Sequence, residues 1–216
     1  MSPSVFPGGE ERVRDADRSQ ASILAAARDE FAEFGLGGAR MERIAERCGL
    51  NKRLIYYYFQ DKDALFGAVL EHAYREIRSA EQALNLLELP PEQALRRLVE
   101  FTWEYYLAHP EFLTLLNSAN LHKGRHLSGS ERAREVNTPL VDTLGQILER
   151  GRGAGVFRGG VDPVQLYVSI AGMAYFYLSN NYTLSAIFGR DLRSRKALSE
   201  RLGHMTEVIL GYVLRN

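Results

Sequence analysis

Residues 49–59, GLNKRLIYYYF, set two cations, Lys52 and Arg53, just ahead of three consecutive tyrosines. An arginine can donate two hydrogen bonds to one guanine edge, and a phenol can donate to a phosphate oxygen. From Arg47 to Tyr58 there are three cations and no acidic residue, so the local charge is positive. Tyr56, Tyr57 and Tyr58 would span most of a helix circumference, so they cannot all be core. The chemistry on offer is that of a surface that reads double-stranded DNA. Lys52 and Arg53 would meet bases, with Tyr56, Tyr57 and Lys62 holding the backbone. The same composition also suits an ordinary packing helix with half-buried tyrosines and solvated cations. Net charge does not decide between them, because 27 Lys and Arg balance 27 Asp and Glu.

Other chemistries find less support. His122 and His126 stand four apart and could share a helical face, but no third metal ligand is evident and Lys123 and Arg125 repel a cation. Cys48 is the only cysteine, which excludes an intramolecular disulfide and suits a reducing compartment. It is read as a small buried residue, with redox sensing as the alternative. Acidic pairs such as Glu10-Glu11 and Asp29-Glu30 are placed on helix exteriors. There is no phosphate-binding glycine loop and no nucleophile with a partner. Neither catalytic residues nor a cofactor or metal are therefore expected. An all-helical enzyme with the tyrosines and His109 or His122 in its site is the alternative. No stretch is long and apolar enough for a membrane or a signal peptide, so a cytoplasmic protein is expected.

The elements that would position these residues are all helical, about nine in number, without a convincing strand. Residues 1–16 read as a flexible arm, in which Arg12 and Arg14 could touch DNA. A helix from about Asp17, capped by Asp15 or Asp17, carries Ile23, Ala27 and Phe31 until Gly35, Gly37 and Gly38 stop it. A second runs from Arg40 to Arg47, Gly49 supplies a positive φ, and Asn51 caps a third from Lys52 to Tyr58. Two short helices about a glycine turn are the pattern of a helix-turn-helix, placed at residues 17–65. Asp61 caps a fourth helix to about Leu87, and Pro91 opens a fifth that ends at Ala108. A short sixth carries Phe112 to Leu116, followed by a polar stretch from Asn117 to Ser130. Pro139 lies within or at the start of a seventh that ends near Gly151. The eighth, Pro163 to Asn180, is apolar nearly all round and is expected to be buried on all sides. With a ninth from Ser194 to Leu214, it suggests association with a second copy. Trp103, Tyr106, Phe112, Asn117, Asn120, Tyr175 and Asn180 supply aromatic walls and amides suited to a small-molecule pocket within residues 66–216, or else are simply core.

In order, Gly37-Gly38-Ala39-Arg40-Met41, Ile44-Ala45, Gly49-Leu50-Asn51-Lys52, Tyr56-Tyr57-Tyr58-Phe59 and Lys62-Asp63-Ala64-Leu65-Phe66 resemble the DNA-binding domain of the TetR family of bacterial repressors. The resemblance covers residues 17–70 closely, and the all-helical remainder fits in helix count. It implies a homodimeric transcription factor that leaves its operator when a small-molecule effector enters the C-terminal domain. The family's DNA contacts then fall on Asn51, Lys52, Arg53, Tyr56, Tyr57, Tyr58 and Lys62. The family commonly opens the second helix with Thr or Ser. Ala39 and Arg40 stand there instead, which leaves the usual cap missing and Arg40 free for a phosphate. Arg53 replaces a common small residue and Tyr58 a common histidine. Asn120-Leu121-His122 and the run from Asp162 to Tyr177 resemble the RutR-like branch, which implies a small polar effector. An activator, or a regulator held by a protein partner, stays open.

Overall fold

In the computed structural model, residues 9–215 are described, apart from the side chains of 9–14, 133 and 136. Among them are nine helices: α1 Gly9–Gly38, α2 Met41–Cys48, α3 Lys52–Phe59, α4 Lys62–Gln82, α5 Pro91–Ala108, α6 Pro110–Leu121, α7 Glu131–Gly153, α8 Pro163–Phe188 and α9 Arg195–Val213. A 3-10 turn, Leu86–Glu88, precedes α5, and one isolated bridge joins Phe157 and Leu214. The all-α expectation holds. No helix among the described residues is long and apolar enough to cross a membrane.

The chain forms two compact units, one from Met1–Ala73 with Thr114–Gly129, the other from Tyr74–Leu113 with Ser130–Asn216. Phe66, Val69 and Leu70 of α4 are buried, Phe66 edge-on to Phe31 at 5.0 Å and to His126 at 4.9 Å. In the first unit Ile23, Ala27 and Phe31 of α1 are fully buried, as their four-residue spacing requires. In the second unit α5 is central, with Leu95, Leu98, Val99, Trp103 and Tyr106 buried and α7, α8 and α9 packed around it.

Several ends differ from expectation. Helix α1 begins at Gly9, so residues 9–16 extend it and neither Asp15 nor Asp17 opens it. The remainder of the expected arm, and the side chains of Arg12 and Arg14, lie outside what is described. Gly35 leaves helical geometry at φ 64° and ψ 174°, where an L side chain would be strained. Helix α4 stops at Gln82, and Asn85 turns the chain at φ 49° so that Leu86 is buried. Helix α6 continues to Leu121 and takes Asn117 and Asn120 into its last turns. Helix α7 begins at Glu131 and carries Pro139 inside it. Helix α8 runs on to Phe188 and ends at Gly189, φ 60°. It is not buried on all sides: Val164, Val168, Phe176, Tyr182, Ile187 and Phe188 are exposed.

The loop after α7 is packed, as its Val156-Phe157 pair suggests. Phe157 is 2% exposed, and a Cβ at Gly151 would fall 2.0 Å from its ring. Gly151→Ala is therefore expected to destabilise the protein by about 1–3 kcal/mol through overpacking, read from a urea melt. A midpoint unchanged from wild type would show that Phe157 moves aside freely.

Candidate nucleic-acid interface

The turn between α2 and α3 is made as the residue types dictate. Gly49 sits at φ 67° and ψ 21°, its N–H donating back to Glu46 at 3.3 Å, while Leu50 N–H donates to Ala45 at 3.2 Å. Asn51 caps α3 by accepting from Arg53 N–H at 2.8 Å. Asp61 caps α4 in the same way, accepting from Ala64 N–H at 2.7 Å. Ile55 is fully buried and anchors α3 by one face. On the other side Tyr57 is 78% and Tyr56 40% exposed, and Tyr58 is half-buried, edge-on to Tyr57 at 5.2 Å. One helix thus carries a buried aliphatic root and an outward phenol surface.

The absent cap of α2 is replaced from α1. The Glu30 carboxylate, fully buried, accepts from Arg40 N–H at 2.9 Å and from Arg43 Nε at 2.7 Å, and Arg47 Nε lies 3.4 Å from its second oxygen. An acidic side chain placed on the exterior by sequence is in fact the centre of the first unit's polar network. Burial raises its proton affinity. The hydrogen bonds from Arg43 and the Arg40 amide, with the charges of Arg43 and Arg47, outweigh that and hold it below its ordinary value. The Arg40 side chain is exposed and leaves this pocket to its own backbone.

Positive charge on this surface is scarcer than sequence suggests. Arg47 pairs with Glu33 at 2.5 Å, and Lys52 is ion-paired with Glu42. The hydrogen bond to Glu42 holds the Lys52 ammonium above the ordinary lysine range. Lys62 donates to the Ala39 carbonyl at 3.2 Å. No ion pair to Arg40 or Arg53 occurs among the described residues, and both side chains are exposed. On a DNA-reading surface Glu42 would compete with phosphate for Lys52. Glu42→Gln is expected to tighten DNA binding at low salt roughly 2- to 5-fold, an advantage lost at high salt. Weaker binding in a fluorescence titration would mean that Glu42 positions Lys52 productively.

The seven residues proposed for a small-molecule pocket divide between the units. Trp103, Tyr106, Phe112, Tyr175 and Asn180 belong to the second, and Asn117 and Asn120 to the first, where both are exposed. The Asn120 amide donates to Leu116 of its own helix at 3.0 Å, and Asn180 to Phe176 at 2.8 Å. Tyr106 and Phe112 meet at 5.7 Å, and Trp103 meets Tyr177 edge-on at 5.7 Å. Burial, with the nearby Tyr167 reinforcing it, pushes the Tyr106 phenol well up, so it stays a neutral hydrogen-bonding group.

Sequence reasoning missed a buried ion pair beside these aromatics. Arg78 and Glu81 are 4% and 5% exposed and paired with each other, and Arg78 Nη2 donates to the Tyr167 hydroxyl at 2.8 Å. Both line a cavity of about 230 Å³ with Leu86, Pro139, Leu140 and Thr143. Residues three apart on a helix read as an ordinary surface pair; nothing in the spacing signals burial.

His122 and His126 have rings 5.9 Å apart, and no three metal-ligating side chains gather among the described residues. His126 instead meets Asp63 at 2.8 Å, where Arg125 joins at 2.6 Å. Cys48 is half-buried, its Sγ 3.6 Å from the Ala45 carbonyl.

Comparison with known proteins agrees with this geometry. Residues 23–69 match the model of the bacterial regulatory proteins, tetR family, and residues 91–209 that of the tetracyclin repressor-like C-terminal domain. The HTH-type transcriptional repressor NicS of Pseudomonas putida is 41% identical over 92% of this chain and 94% of its own length. The HTH-type transcriptional regulator RutR of Escherichia coli is 26% identical over 93% and 92%. A solved transcriptional regulator of Streptomyces coelicolor shares the fold, with a TM-score of 0.67, 21% identity and coverage of 92% and 99%. With a capped α3 that shows its phenols outward, and family matches in both units, this chain belongs to the TetR family and is a helix-turn-helix, DNA-binding transcriptional regulator.

Proposed function

We propose that the protein acts in the cytoplasm as a homodimeric repressor released from its operator by a small molecule bound in the second unit. The observation that carries the DNA contact is α3 itself. Ile55 roots it, while Arg53 and Tyr57 stand outward without a competing ion pair. In this reading Arg53 and Lys52 select bases, and Arg40, Asn51, Tyr56, Tyr57, Tyr58 and Lys62 hold the backbone. Dimerisation is supported by an apolar face of α8 and α9: Val164, Val168 and Phe176 at four-residue multiples, with Val208 and Tyr212, all 44–59% exposed. A second copy on that face would form a four-helix bundle and present two reading helices to a pseudo-palindromic operator.

The effector part is supported by the cavity at Arg78 and Glu81 and by the aromatic cluster at Tyr106 and Phe112. Helix α4 contributes residues to both units. A ligand that prefers one setting of its second half would bias the spacing of the two heads, and release requires only that preference. Footprinting on the chain's own promoter region tests the reading. Two protected half-sites about one helical turn apart are expected. A single protected half-site, together with a monomer in sedimentation, would refute the dimeric repressor.

A further inference from the structure

We propose that the cavity beside Arg78 and Glu81 takes an uncharged molecule presenting a hydrogen-bond acceptor and an N–H donor on one edge, the carboxamide or lactam class. This rests on the effector-released reading above. The cavity of about 230 Å³ lies between the end of α4, the 3-10 turn and α7, and its Leu86, Pro139 and Leu140 walls suit a compact hydrocarbon or ring body. Arg78 and Glu81 are the charged groups buried in its lining. Arg78 Nη1 is committed to Glu81 and Nη2 to the Tyr167 hydroxyl at 2.8 Å. Two polar atoms are left with no hydrogen-bond partner: Arg78 Nε, a donor, and Glu81 Oε1, an acceptor. Buried groups in that condition carry a desolvation cost that a molecule completing both bonds relieves. An amide edge supplies the complementary pair, carbonyl to Nε–H and N–H to Oε1. Neither protein atom touches solvent, so binding requires the two side chains to turn toward the cavity.

Charge selects the same class. Arg78 and Glu81 already neutralise each other, so a carboxylate ligand would set a second anion against Glu81, and a cation would face Arg78. Burial pushes the Glu81 carboxyl up to about 7 against the opposing charge of Arg78. An anionic ligand would therefore bind with proton uptake, more tightly below pH 7 than above it. An uncharged amide would gain no such dependence from its own charge.

Calorimetry on the full-length protein with benzamide, N,N-dimethylbenzamide and benzoate at millimolar concentration, at pH 6 and pH 8, tests the proposal. Benzamide is expected to bind at least 10-fold more tightly than its dimethyl analogue, which lacks the donor, and, at pH 8, where Glu81 is ionised, more tightly than benzoate. Thr143→Trp, which fills the cavity and leaves the ion pair in place, is expected to abolish benzamide binding. Equal binding of the two amides would overturn the proposal, as would tighter benzoate at pH 8, no binding of any probe, or undiminished binding by Thr143→Trp. Operator affinity measured in the same samples separates the two levels. Benzamide bound without loss of operator affinity supports the ligand class and contradicts effector release. Intact operator binding with no probe bound overturns the ligand class alone.

Discussion

Glu30→Ala is expected to lower the stability of the protein by about 2–3 kcal/mol, seen as an earlier urea midpoint, and to weaken DNA binding with it. Removing one partner of a buried ion pair commonly costs about 3–5 kcal/mol. Here Arg43 and Arg47 are 31% and 37% exposed and can rehydrate, which brings the figure down. The substitution also strips the start of α2 of its cap, since the Arg40 N–H loses its 2.9 Å acceptor. The DNA effect follows because α2 supports the turn that aims α3. A pH series gives an independent check. Glu30 titrates below its ordinary value of 4.5 in the folded protein, so its stabilisation is present above that value and lost as pH falls through the folded one. The gap between wild type and Glu30→Gln should accordingly be full at neutral pH and close in acid. A gap that persists in acid would assign the effect to packing instead of charge.

Arg53→Ala is expected to leave the melting curve unchanged and to weaken operator binding by about 30-fold to 10⁴-fold. A bidentate arginine–guanine contact contributes about 1–3 kcal/mol, and a dimer makes it twice. The side chain is exposed and forms no ion pair among the described residues, so little folding energy is at stake. Lys52→Ala should cost less, because Glu42 already holds that ammonium and part of its charge is spent within the protein. Specificity should relax with Arg53 gone, whereas Tyr57→Phe should weaken all sequences alike, as expected of a phosphate contact. An Arg53→Ala protein that keeps full affinity and selectivity would remove Arg53 from base reading.

The parts of the fold governed by local chemistry were legible in the sequence. Gly49 needed a positive φ, Asn51 and Asp61 supplied side-chain caps, Pro91 opened α5, and the Ile23, Ala27, Phe31 stripe set the buried face of α1. The failures came where a distant residue decided the outcome. Glu30 lies on a polar-looking stretch, and only the arrival of Arg43 and Arg47 from α2 makes its burial tolerable. The same two helices and Glu42 remove much of the positive charge that residues 47–58 show in isolation. Arg78 and Glu81 look like a surface pair until Tyr167, 89 residues on, brings a hydroxyl that accepts from Arg78. Asn117 and Asn120 fall with the end of α6 in the first unit, a division that local spacing does not announce. The apolar circumference of α8 is plain from its residue types, though within one chain part of it is exposed.

The most direct test of the central claim is the affinity of the full-length protein for its own promoter region against random duplex of equal length, at matched and increasing salt. Specific binding is expected to exceed random binding by about 10³-fold or more, with both falling as salt rises. Equal affinity for the two duplexes would contradict sequence reading by α3 and with it the repressor.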